Sequence, residues 1–180
     1  MDLSNVKIQT ERLLLVPVTM EFKESMFREF QEPITLFMYP KPAEKIEETE
    51  DFIKEATLEL ITGTDLTMAI TKSGEFLGCA GLHNLQSETP ELGIWIKQSA
   101  HGHKYGQEAV AALKKWADEN IEYKYLSYPV VEQNIASRKI AESLGGKVMK
   151  EYDKVTLSGR TYHMVEYWVC PACTTHPVVG

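Results

Sequence analysis

Residues 91–112, Glu91-Leu-Gly-Ile-Trp-Ile-Lys-Gln-Ser-Ala-His-Gly-His-Lys-Tyr-Gly-Gln-Glu-Ala-Val-Ala-Ala112, hold a strand, a turn and a helix start in one run. Leu92, Ile94 and Ile96 alternate with Gly93, Trp95 and Lys97, the period of a strand. Val110 and Leu113, then Trp116 and Ala117, recur at the three- and four-residue spacings of a helix. Between them Gly102 and Gly106 bracket His103-Lys104-Tyr105. A strand that passes through a glycine-bearing turn into a helix start makes an anion site. The first backbone N–H groups of the helix have no partner inside it, and the macrodipole adds to their pull. Phosphate is the expected guest.

Upstream, Glu11 to Val18 reads as a strand ended by Pro17, with Thr19 as cap of a helix over Met20 to Phe30. Phe22, Met26, Phe27 and Phe30 give that helix its apolar side. Glu32-Pro33 breaks it, and Phe37 to Pro42 is an aromatic, proline-rich connector. Ala43 to Ile61 reads as a second helix, acidic on one face and closed by Gly63 as a left-handed cap. Strands Leu66 to Thr71 and Phe76 to Leu82 flank the hairpin signal Lys72-Ser-Gly-Glu75. Downstream, Tyr125 to Val131 is a mostly apolar strand, suited to burial beside the central one. Asn134 caps a helix ending at Leu144-Gly145-Gly146, and strands Lys147 to Val155 and Tyr162 to Val169 close the chain. The order strand, two helices, three strands, helix, strand, helix, two strands predicts an α/β sandwich with a mixed sheet. No repeat, low-complexity segment or linker divides the 180 residues, so one domain is expected over 1–180, with its core at about 8–169 and a tail at 170–180.

Hydrophobic content of 43% and charged content of 25% are those of a globular protein, and no apolar run approaches the roughly 20 residues of a membrane span. The first residues lack the basic and apolar regions of a signal peptide, so a cytoplasmic protein is expected, without membrane partners. A net charge of −7 offers no basic field for nucleic acid. It suits solubility first, and a cationic acceptor second. Cys79 lies in an apolar strand pattern. Cys170 and Cys173 form Cys-Pro-Ala-Cys with no helix after them and too few further ligands for zinc, so neither a redox pair nor a metal site is expected. His83, His101, His103 and His163 share no ligand spacing, which argues against a metal there too.

The turn resembles the acyl-CoA pyrophosphate loop of GNAT-superfamily N-acetyltransferases, which runs Gln/Arg-x-x-Gly-x-Gly/Ala. His101 stands at the Gln/Arg place, Lys104 at the middle Gly place and Gly106 at the last, so two of the three positions depart from the pattern. Gln107-Glu108-Ala109 resembles the Thr-Glu-Ala that opens the family helix. Further phrases resemble the RimJ/RimL-like branch, which includes ribosomal-protein-alanine acetyltransferases. They are Thr10-Glu-Arg-Leu-Leu-Leu15, Leu77-Gly-Cys-Ala-Gly-Leu-His83, Glu91-Leu-Gly-Ile-Trp95, Asn134-Ile-Ala-Ser137 with Leu144-Gly145, and Ser158-Gly-Arg with Tyr162. Together they cover about residues 8 to 169 in register.

The resemblance implies the GNAT (acyl-CoA N-acyltransferase) fold: a largely antiparallel sheet with one splayed parallel strand pair and helices on both faces. It implies transfer of acetyl from acetyl-CoA, the cosubstrate, to a primary amine. The branch favours a peptide or protein N-terminal amino group; a polyamine, amino acid or aminoglycoside is the alternative. A non-catalytic acyl-CoA-binding module is the alternative of another class, motivated by Lys104. The cradle falls on His101, Gly102, His103, Lys104, Tyr105, Gly106 and Gln107, with Lys104 offering its ammonium to a phosphate in place of the missing glycine. The pantetheine track falls on the main chain of Ile94, Trp95 and Ile96, with Asn134 beside the arm. Glu91, at the start of the central strand, is the expected general base, ahead of Asp153 and Glu88. Ser137, three residues after Asn134 on one helix face, is the expected acid for the leaving thiolate. The chain is expected to act as a monomer or a homodimer paired through its last strands.

Overall fold

The computed structural model of the chain describes residues 1–172. Cys173 lies outside them, so the Cys-Pro-Ala-Cys reading and most of the tail do too. Eight strands form one sheet: β1 (Ile8–Gln9), β2 (Leu14–Pro17), β3 (Leu66–Lys72), β4 (Glu75–His83), β5 (Glu91–Ile96), β6 (Leu126–Val131), β7 (Lys147–Val155) and β8 (Thr161–Val169). Their spatial order is β1-β2-β3-β4-β5-β6-β8-β7. Every neighbouring pair is antiparallel except β5 and β6. The helices are α1 (Lys23–Glu29), α2 (Glu32–Thr35), α3 (Ile46–Thr62), α4 (Tyr105–Asn120) and α5 (Ile135–Ser143).

Alternation along the strands sorts the core into two layers. Leu15 of β2, Met68 and Ile70 of β3, Leu82 of β4, Leu92 of β5, Leu126 and Tyr128 of β6 and Val165 and Tyr167 of β8 share one face. There they join Ala109, Val110, Leu113 and Ala117 of α4 and Ala141 of α5. On the other face Val16, Ala69, Phe76, Cys79 and Trp95 pack with Met26 of α1 and Ile53 and Ala56 of α3. The second layer lies over β2 to β5; beyond it, that face carries Glu91, Ser127, Glu166 and Trp168.

The turn chemistry behaves as read. Gly63 closes α3 at φ 71° and ψ 30°, and the β3–β4 hairpin turns through Ser73 at φ 49° and Gly74 at φ 82°. Asn134 caps α5, its Oδ1 accepting from the Ser137 N–H at 3.2 Å. Three boundaries differ. The first strand keeps only Leu14–Pro17, because Thr10 turns the chain: its N–H donates to the Leu13 carbonyl, its hydroxyl accepts from the Leu13 N–H, and Ile8–Gln9 folds back as β1. The helix expected over Met20 to Phe30 is a 3₁₀ turn at Met20–Phe22 and then α1, with no side-chain bond from Thr19. Pro33 stops α1 from continuing but sits comfortably in the first turn of a new short helix, α2.

Candidate active site

The turn before α4 leaves its main chain open. Gly102 (φ 83°) and Lys104 (φ 61°, ψ 20°) are both left-handed, and Lys104 is the N-cap of α4 without a side-chain cap bond. Glu108 is the first residue whose N–H reaches back into the helix, bonding the Lys104 carbonyl at 3.1 Å. The N–H groups of Gly102, His103, Lys104, Tyr105, Gly106 and Gln107 therefore donate to no acceptor among the described residues. Successive free amides in alternating conformations at a helix start form an anion-binding concavity.

The surroundings are basic despite the acidic chain. Lys72 Nζ donates to the Tyr105 hydroxyl at 2.7 Å, and the Arg12 guanidinium lies 4.7 Å from the centre of the same ring. His103 stacks on the Tyr105 ring as well, with centroids 5.3 Å apart and planes at 25°. Tyr105 is buried and acts as a platform, whereas Gly102, His103, Lys104 and Gln107 are exposed. Glu108 fastens the turn to the β1–β2 hairpin. Its Oε1 accepts from the Thr10 hydroxyl at 2.6 Å and the Arg12 N–H at 2.9 Å, and its Oε2 from Arg12 Nε at 2.7 Å. Partial desolvation pushes the Glu108 carboxyl up, but these donors outweigh it and hold it below its ordinary value. His101 has a bond of its own: Nε2 meets the Ile96 carbonyl at 2.6 Å, closing the turn against the end of β5. Gly106 marks where α4 meets the sheet, since a Cβ there would lie 3.2 Å from Ile140 and 3.5 Å from Ile94.

β5 and β6 share a single register pair, Glu91 with Ser127, and part beyond it. Lys97 N–H bonds Leu77 O at 2.7 Å and Ser127 N–H bonds Pro90 O at 2.8 Å. By alternation, odd-numbered β5 residues face β4 with their main chain and even-numbered ones face the gap. Ile94 and Ile96 line the opening. Trp95 does not: its main chain turns to β4, and its ring sits between Phe30 (5.0 Å) and Phe76 (5.7 Å). The gap widens towards the free amides of the turn, so a phosphate there and an extended arm along Ile94 and Ile96 belong to one continuous path.

Glu91 stands at the closed end of that gap. It lines a polar cleft of about 350 Å³ with Asn84, Ser87, Thr89, Tyr125, Ser127, Lys150 and Glu166. Glu166 is engaged, accepting from Trp168 Nε1 at 2.8 Å and pairing with Lys150 at 3.2 Å. No hydrogen bond is formed by the Glu91 carboxylate to the described residues, and loss of hydration raises its pKa, opposed by His83 and Lys154. Asp153 and Glu88 are elsewhere, paired with His163 (3.0 Å) and Lys124 (2.5 Å). A second, apolar cavity of about 330 Å³ lies on the same face, lined by Phe30, Phe52, Trp95 and Leu157 among others.

Ser137 lies on the α5 side of β6, where its Oγ is 2.8 Å from the Tyr128 hydroxyl. Tyr128 is 2% exposed, and burial pushes its pKa up to about 12 against the opposing bond from Ser137. Either hydroxyl can be the donor in this pair, and in the arrangement where the neutral phenol donates, the serine proton is free to be given elsewhere. Sequence reading passes over Tyr128 because an apolar strand absorbs a tyrosine without remark. It also considers His83 only as a metal ligand, whereas the structure pairs His83 Nδ1 with Asp65 Oδ2 at 2.7 Å.

Comparison with known proteins agrees with this arrangement. The chain aligns at 36% identity over 76 residues with an uncharacterized protein of Methanocaldococcus jannaschii, a match over 42% of this chain and only 16% of that protein's length. Its fold superposes on RimL, the ribosomal L7/L12 alpha-N-protein acetyltransferase, in complex with coenzyme A. The TM-score is 0.82 at 14% identity, over 92% of this chain and 98% of that one. It likewise superposes on the Microcin C7 self-immunity acetyltransferase MccE in complex with acetyl-CoA and AMP, with a TM-score of 0.80 at 18% identity, over 94% and 98% of the two chains. The acetyltransferase (GNAT) domain description matches residues 12–147, which takes in β2, the splayed pair, the turn and α5. With a family match across most of its length and that family's splayed sheet, the chain belongs to the GNAT acetyltransferases.

Proposed function

We propose that the protein is an acetyl-CoA-dependent N-acetyltransferase whose acceptor is the α-amino group of a peptide or protein. The observation that carries the first part is the run of free amides from Gly102 to Gln107 at the open end of the β5–β6 gap. It fits a pyrophosphate at the helix start with its arm between the strands. His101 serves the turn through Ile96, and Lys104 supplies at the rim an exposed ammonium that pairs with none of the described residues. Asn134 holds the start of α5 beside the gap. Acetyl-CoA, when bound, supplies a thioester whose C–S bond breaks as the new C–N bond forms. Ser137, oriented by Tyr128, is placed to give its proton to the leaving sulfur. Glu91 marks where an incoming ammonium loses its proton.

For the acceptor, support comes from the shape of the open face. The cleft above Glu91 has peptide hydrogen-bonding partners in Asn84, Ser87 and Thr89, and the apolar cavity by Trp95, on the same face, suits a side chain. The likeness to RimL points the same way, and the likeness to MccE keeps a small amine as the second reading. The test is mass spectrometry of acetyl transfer to peptides with free or blocked N-termini, polyamines, amino acids and an aminoglycoside. Transfer to free α-amines alone is expected. Transfer only to small amines would overturn the peptide assignment, and acetyl-CoA binding without turnover on any acceptor would make the protein a binding module.

A further inference from the structure

We propose that His83, oriented by Asp65, is the general base that takes the proton from the acceptor's ammonium, with Glu91 holding that ammonium by charge. This rests on the acetyltransferase reading and assigns a step within it.

Three observations place the imidazole there. First, His83 of β4 is the direct cross-strand partner of Glu91, so both side chains rise from the same face at the closed end of the gap. Second, the ring leans back along the strands over two missing side chains. A Cβ on Gly81 would come within 2.9 Å of His83 Nε2, and one on Gly93, its cross-strand partner, within 3.2 Å. The glycine pair thus clears the ground on which Nε2 rests. Third, Nδ1 is engaged: it bonds Asp65 Oδ2 at 2.7 Å, while Asp65 Oδ1 accepts from the Asn84 N–H at 2.9 Å. An N–H at Nδ1 donating to a carboxylate leaves the Nε2 lone pair as the acceptor. Nε2 has no partner among the described residues, and the side chain is 35% exposed.

The charges around it suit a base. Asp65 at the start of β3, Glu59 on α3 and Glu91 on β5 face the imidazole, and Lys154 of β7 and Glu166 of β8 act on Glu91 in turn. Burial disfavours the imidazolium, but the bond and charge of Asp65, then Glu91 and Glu59, outweigh it, and the net pKa is raised. Asp65 itself is pushed up by desolvation and brought below its ordinary value by His83 and Asn84, so it stays ionised. A base raised from the imidazole range is better matched to an ammonium at neutral pH than a carboxylate is.

The balance is simple. An ammonium N–H bond breaks as one forms at His83 Nε2, and the freed nitrogen pair attacks the thioester carbon of acetyl-CoA. The second amine proton is lost to solvent as the amide forms, while Ser137 gives its hydroxyl proton to the sulfur and regains one from solvent. One proton leaves through His83 to water, and one ends on the thiol.

The test is the pH profile of kcat/KM for the parent, His83→Gln, Asp65→Asn and Gly93→Ala, with acetyl-CoA affinity measured by calorimetry for each. The parent's rate should fall as pH drops through the raised imidazole pKa. His83→Gln should lose about 10²–10⁴ in rate, the range for a general base, and lose that limb, with acetyl-CoA affinity unchanged. Asp65→Asn should keep the limb but move it to lower pH. Gly93→Ala, which leaves the histidine in place but crowds Nε2, should slow turnover without moving the limb. A His83→Gln enzyme within about threefold of the parent, well short of the general-base range, and with the parent's limb, overturns the assignment. A parent that binds no acetyl-CoA, or turns over no amine, sinks the acetyltransferase reading itself, and this step with it.

Discussion

Lys104→Gly should change stability and ligand affinity in opposite directions. Lys104 occupies the left-handed region at φ 61° and ψ 20°, at the place where the family pattern has glycine. A side chain there costs about 1–2 kcal/mol. Glycine removes that strain but adds about 0.5–1 kcal/mol of chain entropy to the unfolded state. The difference leaves a gain of roughly 0.5–1 kcal/mol, equivalent to a Tm rise of about 1–4 °C for a chain of this size. The same change deletes the exposed ammonium beside the free amides, an interaction of about 1 kcal/mol at most, or a roughly fivefold weaker Kd for acetyl-CoA. Thermal unfolding without ligand measures the first effect, and calorimetric titration at low and high salt the second. The affinity gap between parent and variant should close at high salt, where screening removes the contribution of the charge. An unchanged or lower Tm refutes the strain argument. Tighter binding by the glycine variant refutes the phosphate contact and means that the lysine narrows the site.

Other perturbations separate the site's parts. Ser137→Ala should cost about 10²–10⁴ in kcat, as for a lost proton donor, while leaving acetyl-CoA affinity intact; turnover within a few-fold of the parent would remove Ser137 from the chemistry. Gly106→Val should overpack the junction with Ile94 and Ile140 and cost about 1–3 kcal/mol, read as a lower Tm. A neutral result would mean that the contact relaxes freely. Glu91→Gln should stabilise the protein at neutral pH while impairing turnover. The Glu91 carboxyl has a raised folded pKa, so the folded state binds its proton more tightly and stability falls as pH rises from the ordinary carboxylate value through the raised one. The Gln variant should lack that fall, and parallel Tm–pH curves for parent and variant would refute it.

Local chemistry was the legible part of this chain. Gly63, Ser73-Gly74, Asn134 and the Gly102–Gly106 turn act through bonds to residues a few places away, and each could be read from its neighbours. The alternation of Leu92, Ile94 and Ile96 identified β5 for the same reason. What escaped depends on contacts made across the fold. Asp65 and His83 are separated by 18 positions and meet only because β3 and β4 pair. Tyr128 looked like strand core until α5 set Ser137 above it. That Trp95 turns its main chain away from the gap follows from register, which one strand alone does not reveal. The two residues of β1 are too few to show a period, and the corner that follows them is held by Glu108, about a hundred places on.

The single register pair between β5 and β6 gives bound acetyl-CoA a mechanical meaning. A sheet joined at mid-width by Glu91 and Ser127 is two half-sheets, β1–β5 and β6–β8, that share α4 and α5 as a common back. The gap-facing amides of Ile94 and Ile96 are exchange-competent in the free protein, whereas those of Trp95 and Lys97 are locked to β4. An extended ligand arm in the gap supplies the missing rung of the ladder. Slowed deuterium uptake at even-numbered β5 positions, with odd-numbered ones unchanged, is therefore the signature of occupancy. The same rung couples the halves, so saturating ligand should make them unfold together, raising apparent stability by about 2.7 kcal/mol at a hundredfold excess over Kd.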